Sequence, residues 1–234
     1  MATKKTVEGI VPFKEENKWG EAKVGFKDLD GNVIIKPKYA DWGTADTLIG
    51  GLATFVEIKN ARHGIINYRA EIIVKDAYDA SVYEEGFGIY ENLYTLFGAI
   101  NKEGEELLPC KYTYLEHIGV NCLYFECGES THGILEVDPI GKTTRVLFDM
   151  KEAGYARCSK NRQTNNKHNS YNGLICVEKN SLLGLLSKDG KEVVPCKYES
   201  AARCGNTKLW ASENGTWYEI DVTDVNNIAI KPRD

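Results

Sequence analysis

An internal repeat runs through this chain and limits what it can fold into. GFKDLDGNVIIKPKY from Gly25, GIINYRAEIIVKDAY from Gly64, GAINKEGEELLPCKY from Gly98 and GLLSKDGKEVVPCKY from Gly184 each place a Tyr 14 residues after the first Gly. A second Gly follows the first by six residues at Gly31, Gly104 and Gly190, and Ala70 holds that place in the second copy. A divergent copy starts at Gly133, with two extra residues before Gly141 and no closing Tyr; in the last copy, TWYEIDVTDVNNIAIKP, Tyr218 stands at the Gly position. The upstream segment repeats too, as GIVPFKE at Gly9, GLATFVE at Gly51, GFGIYEN at Gly86 and GLICVEK at Gly173, with NCLYFEC and TKLWASE in the same place before the divergent copies. This makes about six units, and the first-Gly spacings of 39, 34, 35 and 51 fit one period with an insertion in the last gap. Periods of this size are the mark of propellers, solenoids and arrays.

Local chemistry says what each unit becomes. GLATFVEI is short and rich in β-branched and aromatic residues, which suit a pleated surface. A polar turn at Lys59-Asn60 precedes a second strand, HGIINY. Asp30-Gly31, Asp189-Gly190 and Glu103-Gly104 mark tight hairpin turns, because Gly accepts φ > 0 without steric cost. The third strand is NVIIK, EIIVK, EELLP or KEVVP, and Pro37, Pro109 and Pro195 are expected to stop the ladder for want of an N–H. No segment sustains the helical period. The expectation is an all-β chain of about six three-stranded meanders, with room for a short fourth strand in the link after each Tyr. Tyr39, Tyr78, Tyr112 and Tyr198 are expected to bury their rings between units and to use the hydroxyl as a polar handle.

A lone meander cannot bury both faces, so the units must pack on one another. Six units suit a β-propeller-like ring of four to eight blades. An open β-solenoid is the alternative, but the terminal units, with GIVPF and NNIAIKP, have not become polar caps. The chain, residues 1–234, therefore reads as a single β-repeat domain with a polar, basic insertion at about residues 151–171.

With KWG at Lys18-Trp19-Gly20, the Asp-Gly turns and the PKY or PCKY endings, the chain resembles the bacterial WG-repeat (KWG-repeat) family over most of its length, roughly Gly9 to Cys204. It departs from the family's Trp at most units, where Val24, His63, Phe97, His132 and Leu183 precede the first Gly. The resemblance implies an all-β repeat protein with a binding or scaffolding role, and it brings no catalytic set with it.

Composition narrows the function classes. With 29 Lys and Arg against 34 Asp and Glu, the formal charge of −5 argues against binding a polyanion by bulk charge. No apolar run approaches 18 residues, so no spanning helix and no membrane role are expected. The opening residues hold two lysines but no signal-like apolar stretch. The seven cysteines are odd in number and form no CxxC pair, which favours free thiols and a cytoplasmic location.

A residue that recurs at one register in several units is architecture, and this removes most chemical candidates. His63 and His132 both precede a first Gly, and Cys110 and Cys196 both sit in PCKY. Cys122-x4-Cys127 is too long a spacing for a zinc knuckle. The other cysteines and His117 or His168 sit in no nucleophile signature, and no phosphate-cradling Gly loop occurs. Glu57, Glu91, Glu126 and Glu178 recur near the end of the first strand and read as a solvated edge rather than as the paired acids of glycoside chemistry. No catalytic residue, metal or cofactor is expected. The protein reads as a non-enzymatic binding or scaffold protein whose partner is another protein; a lectin-like glycan binder is the alternative, a hydrolase a lesser one, and nucleic acid a minor option. Two features carry the partner reading. Arg157, Lys160, Arg162 and Lys167 make a run of four positive charges without an acid inside the insertion, a reversal of sign in an acidic chain. Trp42 sits in a link, YADWGTAD, where with Tyr83 it could offer a stacking surface.

Overall fold

A computed structural model describes residues 9–128, 131–157, 170–205 and 207–233. Over these residues the chain is all-β, with six small antiparallel sheets and no helix. The first sheet holds β1 (Ile10–Glu16), β2 (Ala22–Asp28) and β3 (Val33–Ala40), and the second β4 (Leu52–Val56), β5 (His63–Asn67) and β6 (Ile72–Ala77). The third holds β7 (Asp79–Tyr83), β8 (Phe87–Glu91), β9 (Phe97–Asn101) and β10 (Glu106–Tyr112), and the fourth β11 (Tyr114–Gly119), β12 (Cys122–Cys127), β13 (Thr131–Asp138) and β14 (Thr143–Asp149). The fifth holds β15 (Ala156–Arg157), β16 (Ser170–Tyr171), β17 (Leu174–Lys179), β18 (Leu182–Leu186) and β19 (Glu192–Tyr198), and the sixth β20 (Ser200–Arg203), β21 (Lys208–Glu213), β22 (Thr216–Asp221) and β23 (Ala229–Pro232). Strands adjacent in sequence are adjacent in the sheet except in the fifth, where β15 and β16 both pair with β17, and the link after the repeat's Tyr does supply a further strand: β7, β11 and β20 each pair with the first strand of the unit that follows. Four of the described sheets therefore exceed the expected three strands.

The chain divides into two compact units, Met1–Thr113 with Asp138–Thr144, and Tyr114–Val137 with Arg145–Asp234. Inside each, the core lies between consecutive sheets. Val24, Phe26 and Tyr39 of the first sheet pack on Ala53, Phe55 and Ile66 of the second, and Leu52, Ile65 and Ala77 of the second on Ile100 of the third. In the other unit, Tyr124 and Ile134 meet Ile175 and Val177, and Leu185 and Tyr198 meet Leu209, Ala211 and Ile220. Central strands such as β5, β9 and β18 are buried on both faces over four consecutive residues. That is why they read as unbroken apolar runs rather than alternating ones.

The first Gly of each unit is a space requirement. It stands opposite the fifth residue of the upstream segment: Phe13 faces Gly25, Phe55 faces Gly64, Tyr90 faces Gly98, Phe125 faces Gly133 and Val177 faces Gly184. A Cβ on Gly64 would come within 2.2 Å of the Phe55 ring. In the sixth sheet the pair is exchanged, and Tyr218 faces Ala211. On its other side the Gly receives a bulge. Three residues of the third strand, Lys36–Lys38, Pro109–Lys111 or Pro195–Lys197, lie opposite the single Gly25, Gly98 or Gly184. A Cβ on Gly184 would sit 2.6 Å from the Val194 carbonyl oxygen.

This corrects two expectations. Pro37, Pro109 and Pro195 do not end the ladder; β3, β10 and β19 run on through them. Each Pro occupies the bulge, where no ladder N–H is demanded. Tyr78 is not buried: it is 59% exposed, and Ala77 takes the core place. The second unit's bulge, Lys75-Asp76, is one residue shorter, so His63 pairs with Ala77 where Val24 pairs with Tyr39. Tyr39, Tyr112 and Tyr198 are buried as expected, but the Tyr39 and Tyr198 hydroxyls have no hydrogen-bond partner, so the polar-handle role fails for both. Burial pushes the Tyr39 phenol up to about 12, with the Glu57 charge adding to it.

The six-residue Gly is a backbone requirement. Gly31, Gly104 and Gly190 have φ of 88°, 84° and 80°, and Ala70 is forced to 62° in the same turn. Asn67 and Asn101 open two of these turns. Each is buried, accepts two turn N–H groups on Oδ1 and donates Nδ2 to the carboxylate of Glu71 or Glu105. Each also donates to a carbonyl beyond its own sheet, Lys102 O for Asn67 and Pro139 O for Asn101, both at 3.2 Å. An unpaired buried amide costs about 1–3 kcal/mol, so these bonds fix the spacing of turns within the first unit.

Candidate functional site

The residues in register are spent on the fold. The Cys110 and Cys196 sulfurs lie where a Cβ on Gly98 or Gly184 would touch them, at 2.8 and 2.7 Å. Both are free thiols. Burial pushes the Cys196 thiol up to about 11, with the Glu192 charge as a smaller cause, so it is a poor nucleophile. His132 Nε2 is 2.8 Å from the Tyr155 carbonyl oxygen, and His63 Nδ1 is 3.7 Å from the Asp79 carboxylate. Among the described residues no group of three or more His, Cys, Asp or Glu is gathered as for a metal.

The second unit holds a cleft of about 620 Å³ lined by Ser187, Asp189, Lys191, Glu192, Asn226 and Asn227, among others. Its carboxylates already have partners. Asp189 accepts from the Ser187 hydroxyl, which holds its carboxyl below the usual range. Glu192 accepts from the Tyr155 hydroxyl at 2.9 Å and from the Cys196 N–H at 3.0 Å. A general acid needs the opposite displacement, a carboxyl raised towards neutrality.

Trp42 is 61% exposed in the link between β3 and β4. That link is held at three points. Lys14 Nζ pairs with Asp41 at 2.6 Å and with Asp46 at 3.1 Å, and the Val56 N–H donates to Thr44 Oγ1 at 3.1 Å. Tyr83, its expected companion, lies in β7 with its ring 5.0 Å from Phe87. Of the basic run, Arg157 is the last residue of β15, opposite Val177; Lys160, Arg162 and Lys167 lie outside the described residues. β15 and β16 both pair with β17, through Val177 and Ile175, so the two ends of the insertion stand two residues apart on one strand.

Two exposed aromatics escaped the sequence reading as candidates. Trp19 and Tyr94 sit at the tips of the β1–β2 and β8–β9 turns, 76% and 83% exposed. In both turns an Asn two residues earlier, Asn17 or Asn92, accepts the aromatic residue's own N–H at 2.8 Å. The shared Asn-x-aromatic pattern was the available signal.

Three stretches, residues 25–47, 97–120 and 184–217, match the model of the WG-containing repeat. The chain carries the WG-containing repeat. The matches begin at or just before the first Gly of the first, third and fifth units, the three that keep both the three-residue bulge and the buried Tyr. No curated protein matches this WG-repeat sequence. Among solved structures it is similar to PorZ of Porphyromonas gingivalis, described as a surface component of the type-IX secretion system, at 9% identity and a TM-score of 0.37, over 97% of this chain and 32% of that one. It thus spans about a third of PorZ. It is also similar to Hsv2 of Kluyveromyces marxianus (8% identity, TM-score 0.44, 94% of this chain and 78% of that one) and to virginiamycin B lyase of Staphylococcus aureus (14%, 0.32, 98% and 86%).

Proposed function

We propose that this WG-repeat protein is a non-enzymatic binding or scaffold protein that engages another protein through side chains the repeat does not need. One observation carries the reading: Trp42 is a largely exposed indole on a link tied down by two ion pairs and a backbone hydrogen bond. An aromatic that is both exposed and pre-positioned loses little conformational entropy on binding, and Trp is enriched at interface hot spots. The basic insertion from Arg157 to Lys167 is the second contact of the proposal, directed at an acidic face. The six sheets suit a propeller-like ring, and the free thiols among the described cysteines suit a reducing, cytoplasmic setting.

The test is affinity capture from native cells with three baits: wild type, Trp42→Ala, and a charge reversal of Arg157, Lys160, Arg162 and Lys167 to Glu. The proposal expects a protein partner that wild type retains, that both variants lose, and whose complex weakens with salt, because exposed charges are screened over about 10 Å at 0.1 M. Undiminished capture by both variants at unchanged melting temperature would refute it.

A further inference from the structure

The junction between the first two sheets departs from the repeat in a way that makes a site. A cleft of about 400 Å³ is lined there by Lys23, Lys38, Tyr39, Glu57 and Lys59, among others. The same junction between the fifth and sixth sheets provides the reference. Lys197, the residue before the buried Tyr198, is bonded at 2.7 Å to Glu213 of the next sheet's upstream strand. Lys38 and Glu57 hold the equivalent positions, by their pairing with Val24-Tyr39 and Phe55-Gly64, yet no ion pair joins them. Two further lysines are added. Lys23 stands where the fifth unit has Leu182, and Lys59 lies in the β4–β5 turn, whereas the β21–β22 turn carries Asn214-Gly215.

The cleft therefore faces three lysines against one carboxylate. Lys23, Lys38 and Lys59 are exposed, and none has a carboxylate within ion-pair distance among the described residues. Lys38 Nζ lies 5.0 Å from the centroid of the Tyr39 ring, and like charges on one cleft with no carboxylate to pair them repel one another. The backbones are bridged here at Tyr39 and Glu57, but the side-chain ion pair that closes the junction between the fifth and sixth sheets is missing. The second observation is Tyr39. It is 2% exposed and lines the cleft, and its buried hydroxyl has no hydrogen-bond partner. It is near enough to Glu57 for that charge to help keep it protonated, so it stays a donor. Three lysines and a phenol lining a concave site of this size suit a small ligand.

We propose that this cleft binds an oxyanion, the phosphate or carboxylate group of a small ligand, with Lys23, Lys38 and Lys59 supplying charge and the otherwise unpartnered Tyr39 hydroxyl supplying a further donor. The inference stands apart from the protein-binding reading, which uses none of these four residues.

The test is isothermal titration of the full chain at low ionic strength with two probes, inorganic phosphate and glutarate; the tighter of the two names the ligand class. Lys38→Gln and Lys59→Gln, both surface changes, are each expected to weaken the better probe about tenfold, the loss of one charge-assisted hydrogen bond. Tyr39→Phe is expected to weaken it several-fold without lowering the melting temperature, since it deletes an unpartnered hydroxyl. Lys197→Gln, at the closed junction, is expected to leave binding unchanged. Binding of neither probe, or binding indifferent to the Lys38, Lys59 and Tyr39 variants, would overturn the proposal.

Discussion

Replacing Gly64 by Ala tests the pairing of an aromatic with a glycine that recurs across the sheets. The added Cβ would lie 2.2 Å from Phe55 Cζ and 2.6 and 2.7 Å from Cε1 and Cε2. The ring cannot easily move aside. Phe55 is fully buried, and its centroid is 4.3 Å from that of Tyr39, itself buried among Phe26, Val24 and Ile66. Overpacking a filled core costs about 1–3 kcal/mol, and contact with an immobile ring puts this site near the upper end. At roughly 2–4 °C per kcal/mol for a chain of this size, the melting temperature should fall by roughly 6–12 °C. Phe55→Leu supplies the internal check. Alone it leaves a cavity and costs on the order of 1 kcal/mol. Combined with Gly64→Ala it frees the space the new methyl needs, so the double variant should be more stable than the sum of the two losses by about 1–2 kcal/mol. Calorimetric melting of the four proteins measures this coupling. Additive losses, or a Gly64→Ala protein that melts like wild type, would show that the glycine does not make room for the ring.

Other outcomes follow from single features. Ala70→Gly relieves a φ of 62°; that strain, about 1–2 kcal/mol, exceeds the unfolded-state entropy gained by Gly, so net stabilisation of roughly 0.5–1 kcal/mol is expected in a urea melt. Tyr198→Phe removes a buried hydroxyl that has no partner and should raise the melting temperature by a few degrees, on the order of 1 kcal/mol; a fall would show that the hydroxyl is bonded in the folded protein. The Asp221 carboxyl is held down at about 2 by hydrogen bonds from the Thr223 side chain and backbone and by Lys208. A depressed carboxyl stabilises the fold above its unfolded pKa near 3.8 and loses that contribution as pH falls towards 2. The gap in melting temperature between wild type and Asp221→Asn should therefore be open at pH 6 and closed near pH 2; a gap independent of pH would contradict this.

The sequence was informative wherever one residue type served one local need. The six-residue Gly reads directly as a turn, since φ near 85° is open to Gly and strained for Ala70. The first Gly reads as a fixed register point, but its reason is long-range: a ring on one neighbouring strand and a bulge on the other, neither of which a linear pattern separates. Pro37, Pro109 and Pro195 misled for the same cause. A missing N–H ends a regular ladder but is tolerated in a bulge, and only the pairing of Gly98 against Pro109–Lys111 distinguishes the two. Tyr78 kept its spacing in sequence while losing one bulge residue in space, so a constant 14-residue interval concealed a shift of register. Trp42 was legible as a link residue. The cleft at Lys38 was not, because its lysines come from three separate segments, and their meaning depends on an ion pair that forms at Lys197 and fails to form here.

The proposed function implies a division of labour: residues in register hold the sheets, and residues out of register meet the partner. Melting temperature and partner capture, measured together on one set of variants, separate the two roles. Gly64→Ala and Asn67→Ala should lower the melting temperature, whereas Trp42→Ala and the reversal of Lys160, Arg162 and Lys167 should abolish capture and leave melting unchanged. If Trp42→Ala melts as low as Gly64→Ala, or if the partner is still held after both out-of-register changes, the division does not exist.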